Sequence, residues 1–530
     1  MSKPGAFASR KRESTGHLAF LVAAGILLSR IIGLVRLRVF SHYFGLRSDA
    51  ADAFNAAFRI PNFLQNLFGE GVLSASFIPV YARLLAEGEE EEAGKVAGAV
   101  GATLALAVAV LCLAGVLATP WLIDIIAPGF SGAKRDLTIS SVRILFPGAG
   151  LLAFSAWCLG ILNSHRKLFL SYAAPVMWSA AMIATLVIFG GRSTLSQLAV
   201  TLAWGSVAGS ALQFGIQLPV VLRLARHLRM RLDLNSDHVR VVIRNFAPVF
   251  VSRGVVQISA YIDALLASLL PTGAVTGLIN AQLIYVLPVS LFGMSVSAAE
   301  LPVMSSATGS TEEIQAALLE RLDSGLHHIA FFIVPSAAAF LAFGDLIAAA
   351  LLQTGRFTHT DAQYVWGILA GSSVGLLAST LGRLYSSAYY ALRDTRTPLK
   401  FAVLRVALTT ILGYICAKPL PLWIGIDPRW GVAGLTASAG VAGWVEFALL
   451  RRGLHRILGS GPSISGFVAK LWLAAIIAVV IGSAGRLLPY AAHPIYGALA
   501  TLGPFGVVYL GIGSTFAPEG RRLVMRLIRR

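Results

Sequence analysis

Several charged residues of this chain stand inside long apolar runs, where a charge needs a reason to be. Arg30 and Arg36 lie in the run that begins near Leu18, and Arg59 lies in the next one beside Pro61 and Asn62. An arginine at the centre of a spanning helix costs roughly 2.5–3.5 kcal/mol even on insertion scales, so each should meet a partner or a ligand. At 1.5 Å per residue, Arg30 falls about 18 Å and Arg36 about 27 Å into the first run, and Arg59 about 12 Å into the second. Three guanidinium forks facing one cavity would suit the oxygens of a phosphate or diphosphate, with Pro61 bending the helix that presents Arg59 and Asn62. The seventh run carries Arg253 and Asp263, and the tenth carries Arg383 in LGRLYSSAYY; all three are expected to line the cavity. Arg253 and Asp263 are about 15 Å apart along their helix, too far to pair along it. The acids Asp52, Glu70 and Asp263 are expected as charge partners of arginines or as cation or proton sites. For Asp52 a plain helix N-cap is an open alternative, and Arg36 and Arg38 have snorkelling to the outer interface as theirs.

The elements that must position these residues are membrane helices. Apolar residues make up 56% of 530 positions and charged residues 13%, and mean hydropathy is +0.74, whereas a soluble domain carries about 25% charged residues. Apolar runs fall near 17–44, 52–84, 94–126, 140–164, 172–190, 196–222, 243–270, 276–306, 326–353, 364–391, 399–420, 431–450, 466–488 and 494–516. The fold class expected is therefore an all-α polytopic membrane protein with about fourteen spanning helices. The net charge of +18 comes from Lys and Arg that punctuate the runs without forming a patch, which argues against nucleic acid. Placing the N-terminus inside puts most of these, including Arg166, Lys167, Arg223, Arg226, Arg229, Arg231, Arg451 and Arg452, on the cytoplasmic side, and fourteen spans return the C-terminus there as well. The basic start followed by an apolar stretch resembles a signal peptide, but no small-x-small site leads into a polar domain, so the first helix is expected to be retained.

Cys112, Cys158 and Cys416 each sit in an apolar run and imply neither a disulfide framework nor a metal. No HExxH, Walker A or G-x-S-x-G motif is present, the histidines lack metal spacing, and no loop has the size of a catalytic domain. A transporter with no cofactor, coupled to a monovalent cation or to the membrane potential, is expected rather than an enzyme.

The second and eighth runs show a weak internal repeat. Asn55, Pro61, Phe68, Gly69, Pro79 and Val80 find counterparts in Asn280, Pro288, Phe292, Gly293, Pro302 and Val303, with Glu300 displaced from Glu70. An offset of about 225 residues corresponds to six helices, an even number, which predicts parallel repeats and a site between two lobes. The expected organisation is a basic tail (1–16), an N-terminal lobe of helices 1–6 (17–225), a C-terminal lobe of helices 7–12 (240–452), helices 13–14 (464–517) and a second basic tail (518–530).

SRIIGLVR (29–36) and DAFNAAFRIPNFLQNLFGEGVLSASFIPVY (52–81), together with APGF (127–130), LGILNSHRKLF (159–169), QISAYIDALLASLL (257–270), QTGRFT (353–358) and YYALRDTRTPLK (389–400), give nearly the whole chain a clear likeness. It resembles the MurJ/MviN family, lipid II flippases within the multidrug, oligosaccharidyl-lipid and polysaccharide exporters. The resemblance implies a V-shaped two-lobed carrier of the bacterial inner membrane with a cationic cavity. That cavity would take the undecaprenyl-diphosphate-linked peptidoglycan precursor and move its head group from the cytoplasmic to the outer leaflet by alternating access. Its partners would be that lipid-linked diphosphate, membrane lipid and proteins of cell-wall synthesis. Arg30, Arg36, Asp52, Arg59 and Asn62 match the family's helix 1 and 2 motif, and Arg383 matches a basic position in helix 10. Two positions depart from the pattern: Gln65 and Leu283 stand where the family usually has basic residues, and Arg253 and Arg383 are expected to compensate. A flippase for another undecaprenyl-diphosphate glycan, such as an O-antigen or capsule unit, and a cation-coupled drug exporter of the same fold are the alternatives.

Overall fold

The computed structural model describes residues 5–68, 73, 76–233, 236–306, 310–459, 461–488 and 493–516, and among them every regular element is helical. In chain order these are α1 (Gly5–Phe44), α2 (Asp49–Phe68), α3 (Ile78–Ala86), α4 (Glu90–Ile126), α5 (Gly132–Ser164), α6 (Leu168–Ala173), α7 (Pro175–Phe189), α8 (Leu195–Leu224), α9 (Asp237–Ser268) and α10 (Ala274–Pro288). A π-helical segment, Val289–Met294, leads into α11 (Ser295–Ser305), followed by α12 (Thr311–Leu352), α13 (His359–Ser373), α14 (Leu376–Ala391), α15 (Arg396–Ala417), α16 (Pro419–Trp423), α17 (Gly431–Leu458), α18 (Ser465–Ser483) and α19 (Pro494–Phe516).

Among the described residues ten helices are long and apolar enough to cross a membrane, and α13 with α14 makes an eleventh span bent by 43°. Adding α1, α2 and α9, the helices that carry Arg30, Arg36, Arg59, Arg253 and Asp263, is consistent with the fourteen expected from the apolar runs. The tenth run, expected as one helix, is thus two. Its break has no proline. Gly375 crosses Gly440 of α17 so closely that an added Cβ would lie 2.4 Å from the Gly440 Cα, and Trp444 Nε1 donates to the freed carbonyl of Val374 at 2.8 Å. The eighth run is likewise interrupted, by the π segment that follows Pro288.

The chain divides into two compact units, 1–261 and 262–530, the division falling inside α9. In the first unit α5 is the central helix, with 78% of its apolar window buried against 22% for α4. Trp157 anchors it, donating to the Ala97 carbonyl at 3.1 Å. Deeper along α5, Ser155 donates to Gln217 Oε1 at 2.7 Å and accepts from Gln213 Nε2 at 2.9 Å. In the second unit α12 is central at 61% buried, while only 6% of the α15–α16 window is covered. Tyr509 of α19 donates to the Phe331 carbonyl of α12 at 2.7 Å. Small residues let α17 approach α15: an added Cβ at Gly431 or Gly434 would meet the carbonyls of Ala417 and Cys416 at 2.1 and 2.5 Å.

Two turns repeat each other in detail. Arg166 after α5 and Arg393 after α14 have φ of 57° and 61°, and no other non-glycine described residue has positive φ. Lys167 N donates to Leu162 O at 2.8 Å and Asp394 N to Tyr389 O at 2.9 Å, the wide hydrogen bond of a Schellman ending in both cases. Their separation of 227 residues lies close to the offset of the sequence repeat. Outside the membrane helices, Asp394 accepts from the Arg396 and Thr397 amides at 3.0 Å each, and the Thr397 side chain and these amides hold its carboxyl below the usual range.

Candidate functional site

In the first unit Arg36 and Asn62 of the helix 1 and 2 motif stand at one aromatic wall. The Arg36 guanidinium lies over the Trp178 ring at 4.5 Å and near the Phe58 ring at 5.9 Å, and Phe58 stacks on Trp178 with centroids 5.5 Å apart. Arg36 Nη1 also points at the Met182 sulfur, 3.3 Å away. Trp178 is fixed from behind, its Nε1 donating to Ser206 Oγ at 3.1 Å. The aromatic faces and a thioether attract the cation without neutralising it. Among the described residues no carboxylate pairs with Arg36. Six residues earlier, Arg30 is exposed and makes no hydrogen bond or ion pair among the described residues.

Beside this wall, Asn62 and Pro61 of α2 face Gly148 and Leu152 of α5 and Ser210 of α8 around a space of about 10 Å³, room for roughly one water. Arg59, half-buried, lies within electrostatic reach of Tyr261, whose hydroxyl donates to the Arg59 carbonyl. Phe63 meets the Tyr261 ring edge-on at 5.6 Å, so α9 fixes the proline-bearing turn of α2.

Asp52 is 1% exposed and pairs with Lys134 at 2.9 Å; Lys134 also reaches Asp49 at 3.2 Å and stands 4.3 Å over the Phe130 ring. The N-cap of α2 is instead Ser48, whose Oγ accepts from the Ala51 amide at 3.1 Å. Glu70 lies outside the described residues, as do the side chains of Gln65 and Arg253.

In the second unit Asp263 is half-buried near the end of α9. Arg383 of α14 is exposed and makes no hydrogen bond or ion pair among the described residues. Leu283 is 42% exposed. Tyr285 Oη of α10 lies 3.0 Å from Ser379 Oγ, and Ser379 precedes Arg383 by four residues on α14. No group of three or more His, Cys, Asp or Glu able to hold a metal is found among the described residues.

Sequence reasoning overlooked Trp178, Met182, Lys134, Arg405 and Glu446. Arg405 and Glu446 had the same signal as Arg30, a charge inside an apolar run, whereas Trp178 and Met182 lie in a run with no charge at all.

Residues 40–497 match the family described as lipid II flippase MurJ. A lipid II flippase MurJ of Burkholderia cenocepacia is 30% identical over 468 residues, covering 87% of this chain and 88% of that protein. A probable lipid II flippase MurJ of Bdellovibrio bacteriovorus is 29% identical over 491 residues, covering 91% and 89%. Among solved structures, a lipid II flippase MurJ in an inward closed conformation superposes with a TM-score of 0.75 at 23% identity, covering 95% of this chain and all of that one. An inward-facing MATE family multidrug resistance transporter of the MOP superfamily gives 0.64 at 19% identity over 81% of this chain and 95% of its own. A helical membrane fold, arginines held within it, and a family match across most of its length together place this chain in the MurJ lipid II flippase family.

Proposed function

We infer that this protein flips lipid II, the undecaprenyl-diphosphate-linked peptidoglycan precursor, from the cytoplasmic to the outer leaflet of the bacterial inner membrane. The observation that carries the reading is Arg36, a cation held within a spanning helix by an aromatic wall and a sulfur. Such a charge is retained for a ligand, and guanidinium forks match diphosphate oxygens. Arg30, Arg59 and Asn62 of the same motif, with Arg253 and Arg383, would share the head group. The protein acts as a carrier, with alternating access moving the head group and no bond being made. Both termini lie in the cytoplasm, as the bias of Lys and Arg supports, and proteins of cell-wall synthesis dock on that side. An inside-negative potential drives an anion outward with about 2.3 kcal/mol per elementary charge per 100 mV, which suits export of a diphosphate; a monovalent cation gradient is the other source of drive.

The test is rescue of a bacterium depleted of its own lipid II flippase, comparing this chain with Arg30→Ala and Arg36→Ala at matched expression. Rescue by the unsubstituted chain alone is expected. Absence of rescue by membrane-inserted, folded protein would transfer the reading to another lipid-linked glycan.

A further inference from the structure

Unit 262–530 contains an intramembrane ion pair that the helix 1 and 2 motif does not use. Arg405 of α15 places Nη1 3.0 Å from Glu446 Oε2 of α17, with 40% of the arginine side chain and 14% of the glutamate exposed. Arg383 lies about 12 Å back from the end of α14, Arg405 about 14 Å from the start of α15, and Glu446 about 18 Å back from the end of α17. The 391–396 turn puts the first two ends on one side, and antiparallel α15 and α17 put the third there too. All three charges therefore stand near the middle of a core roughly 30 Å thick. On α10 the Tyr285 hydroxyl meets Ser379 Oγ at 3.0 Å, one turn before Arg383 on α14.

An arginine so exposed at that depth faces water rather than lipid, since lipid exposure there is costly. Glu446 occupies one of the five N–H donors of Arg405. Arg383 has no partner among the described residues. Two guanidinium groups against one carboxylate leave net positive charge beside a tyrosine hydroxyl, the donor set that acidic phosphate oxygens take.

We propose that Arg405 is a second contact for the anionic head group, and that Glu446 is a tethered carboxylate that occupies Arg405 until the diphosphate displaces it. This rests on the reading of the chain as a carrier of a lipid-linked diphosphate. Exchanging one anion for another spares Arg405 from standing unpaired in the empty carrier, and the waiting carboxylate recaptures it when the head group leaves. Glu446 thereby sets how tightly the second unit holds its ligand and how fast it releases it.

The full chain in lipid nanodiscs, titrated with undecaprenyl diphosphate, tests this alongside lipid II flipping in proteoliposomes. Glu446→Gln should bind about tenfold more tightly, the worth of one charge-assisted contact, and flip more slowly. Arg405→Lys keeps the charge opposite Glu446 but loses the fork, and should bind severalfold more weakly with thermal stability preserved. Unchanged affinity in both variants while the unsubstituted chain binds, or weaker binding by Glu446→Gln, would overturn the proposal and leave a packing pair. Failure of the unsubstituted chain to bind and flip would instead overturn the functional reading.

Discussion

The two units hold intramembrane arginines by different means. At the α1–α2–α7 corner, Arg36 rests on Trp178, Phe58 and the Met182 sulfur, groups that attract a cation and leave its charge intact. At the α15–α17 seam, Arg405 is held by the carboxylate of Glu446, which cancels its charge while the pair lasts. The first arrangement keeps positive charge available at all times, and the second makes it conditional on displacement of an anion. The contrast also separates ligand charge from structural charge within the first unit. There, buried Asp52 pairs with Lys134, which is 13% exposed on its side chain.

The structural pair should show the largest effect on folding. Asp52→Ala leaves Lys134 with the exposed Asp49 as its remaining carboxylate partner at that site and should cost about 3 kcal/mol, measurable as a lowered Tm; adding Lys134→Met should recover most of it. Loss of transport in both the single and the double variant at recovered Tm would break the distinction and make the pair functional. Arg36→Leu should behave in the opposite way, with Tm nearly unchanged and binding of undecaprenyl diphosphate weakened by tenfold or more, the worth of charge-assisted contacts. A smaller step sharpens the role of the aromatic wall. Trp178→Phe removes the bond to Ser206 and replaces the indole face with a weaker phenyl face, and should reduce affinity about two- to fivefold. The least effect is expected from Gln217→Leu. The substitution relieves a buried Nε2 that has no partner among the described residues but also removes the Oε1 that accepts from the Ser155 hydroxyl; the two effects offset, so unfolding free energy should change by only about 1 kcal/mol.

The helical membrane class and the arginines of the first two helices were legible because the bilayer penalises charge so strongly that a single residue in an apolar run is a signal. That criterion found Arg30, Arg36, Arg59 and Arg383, and applied without exception it also marks Arg405 in the 399–420 run and Glu446 in the 431–450 run. What holds Arg36 was hidden, since Trp178 and Met182 look like any lipid-facing residues until tertiary packing turns α7 toward α1 and α2. Asp52 was visible as an acid at the start of an apolar run, with an N-cap as the open alternative, but its partner lies 82 positions away, at the N-terminal end of α5. The break between α13 and α14 carries no proline to announce it and depends on two glycines, Gly375 and Gly440, meeting across a helix crossing. The repeat, faint in side chains, is plainest in the backbone, where Arg166 and Arg393 adopt the same left-handed ending.

The most direct test is the rate at which purified Arg36→Ala protein, matched to the unsubstituted chain in Tm and in reconstitution, translocates lipid II across proteoliposome membranes. The unsubstituted chain should flip lipid II and Arg36→Ala should lose nearly all of that rate; flipping by Arg36→Ala at the full rate would show that Arg36 holds no part of the head group.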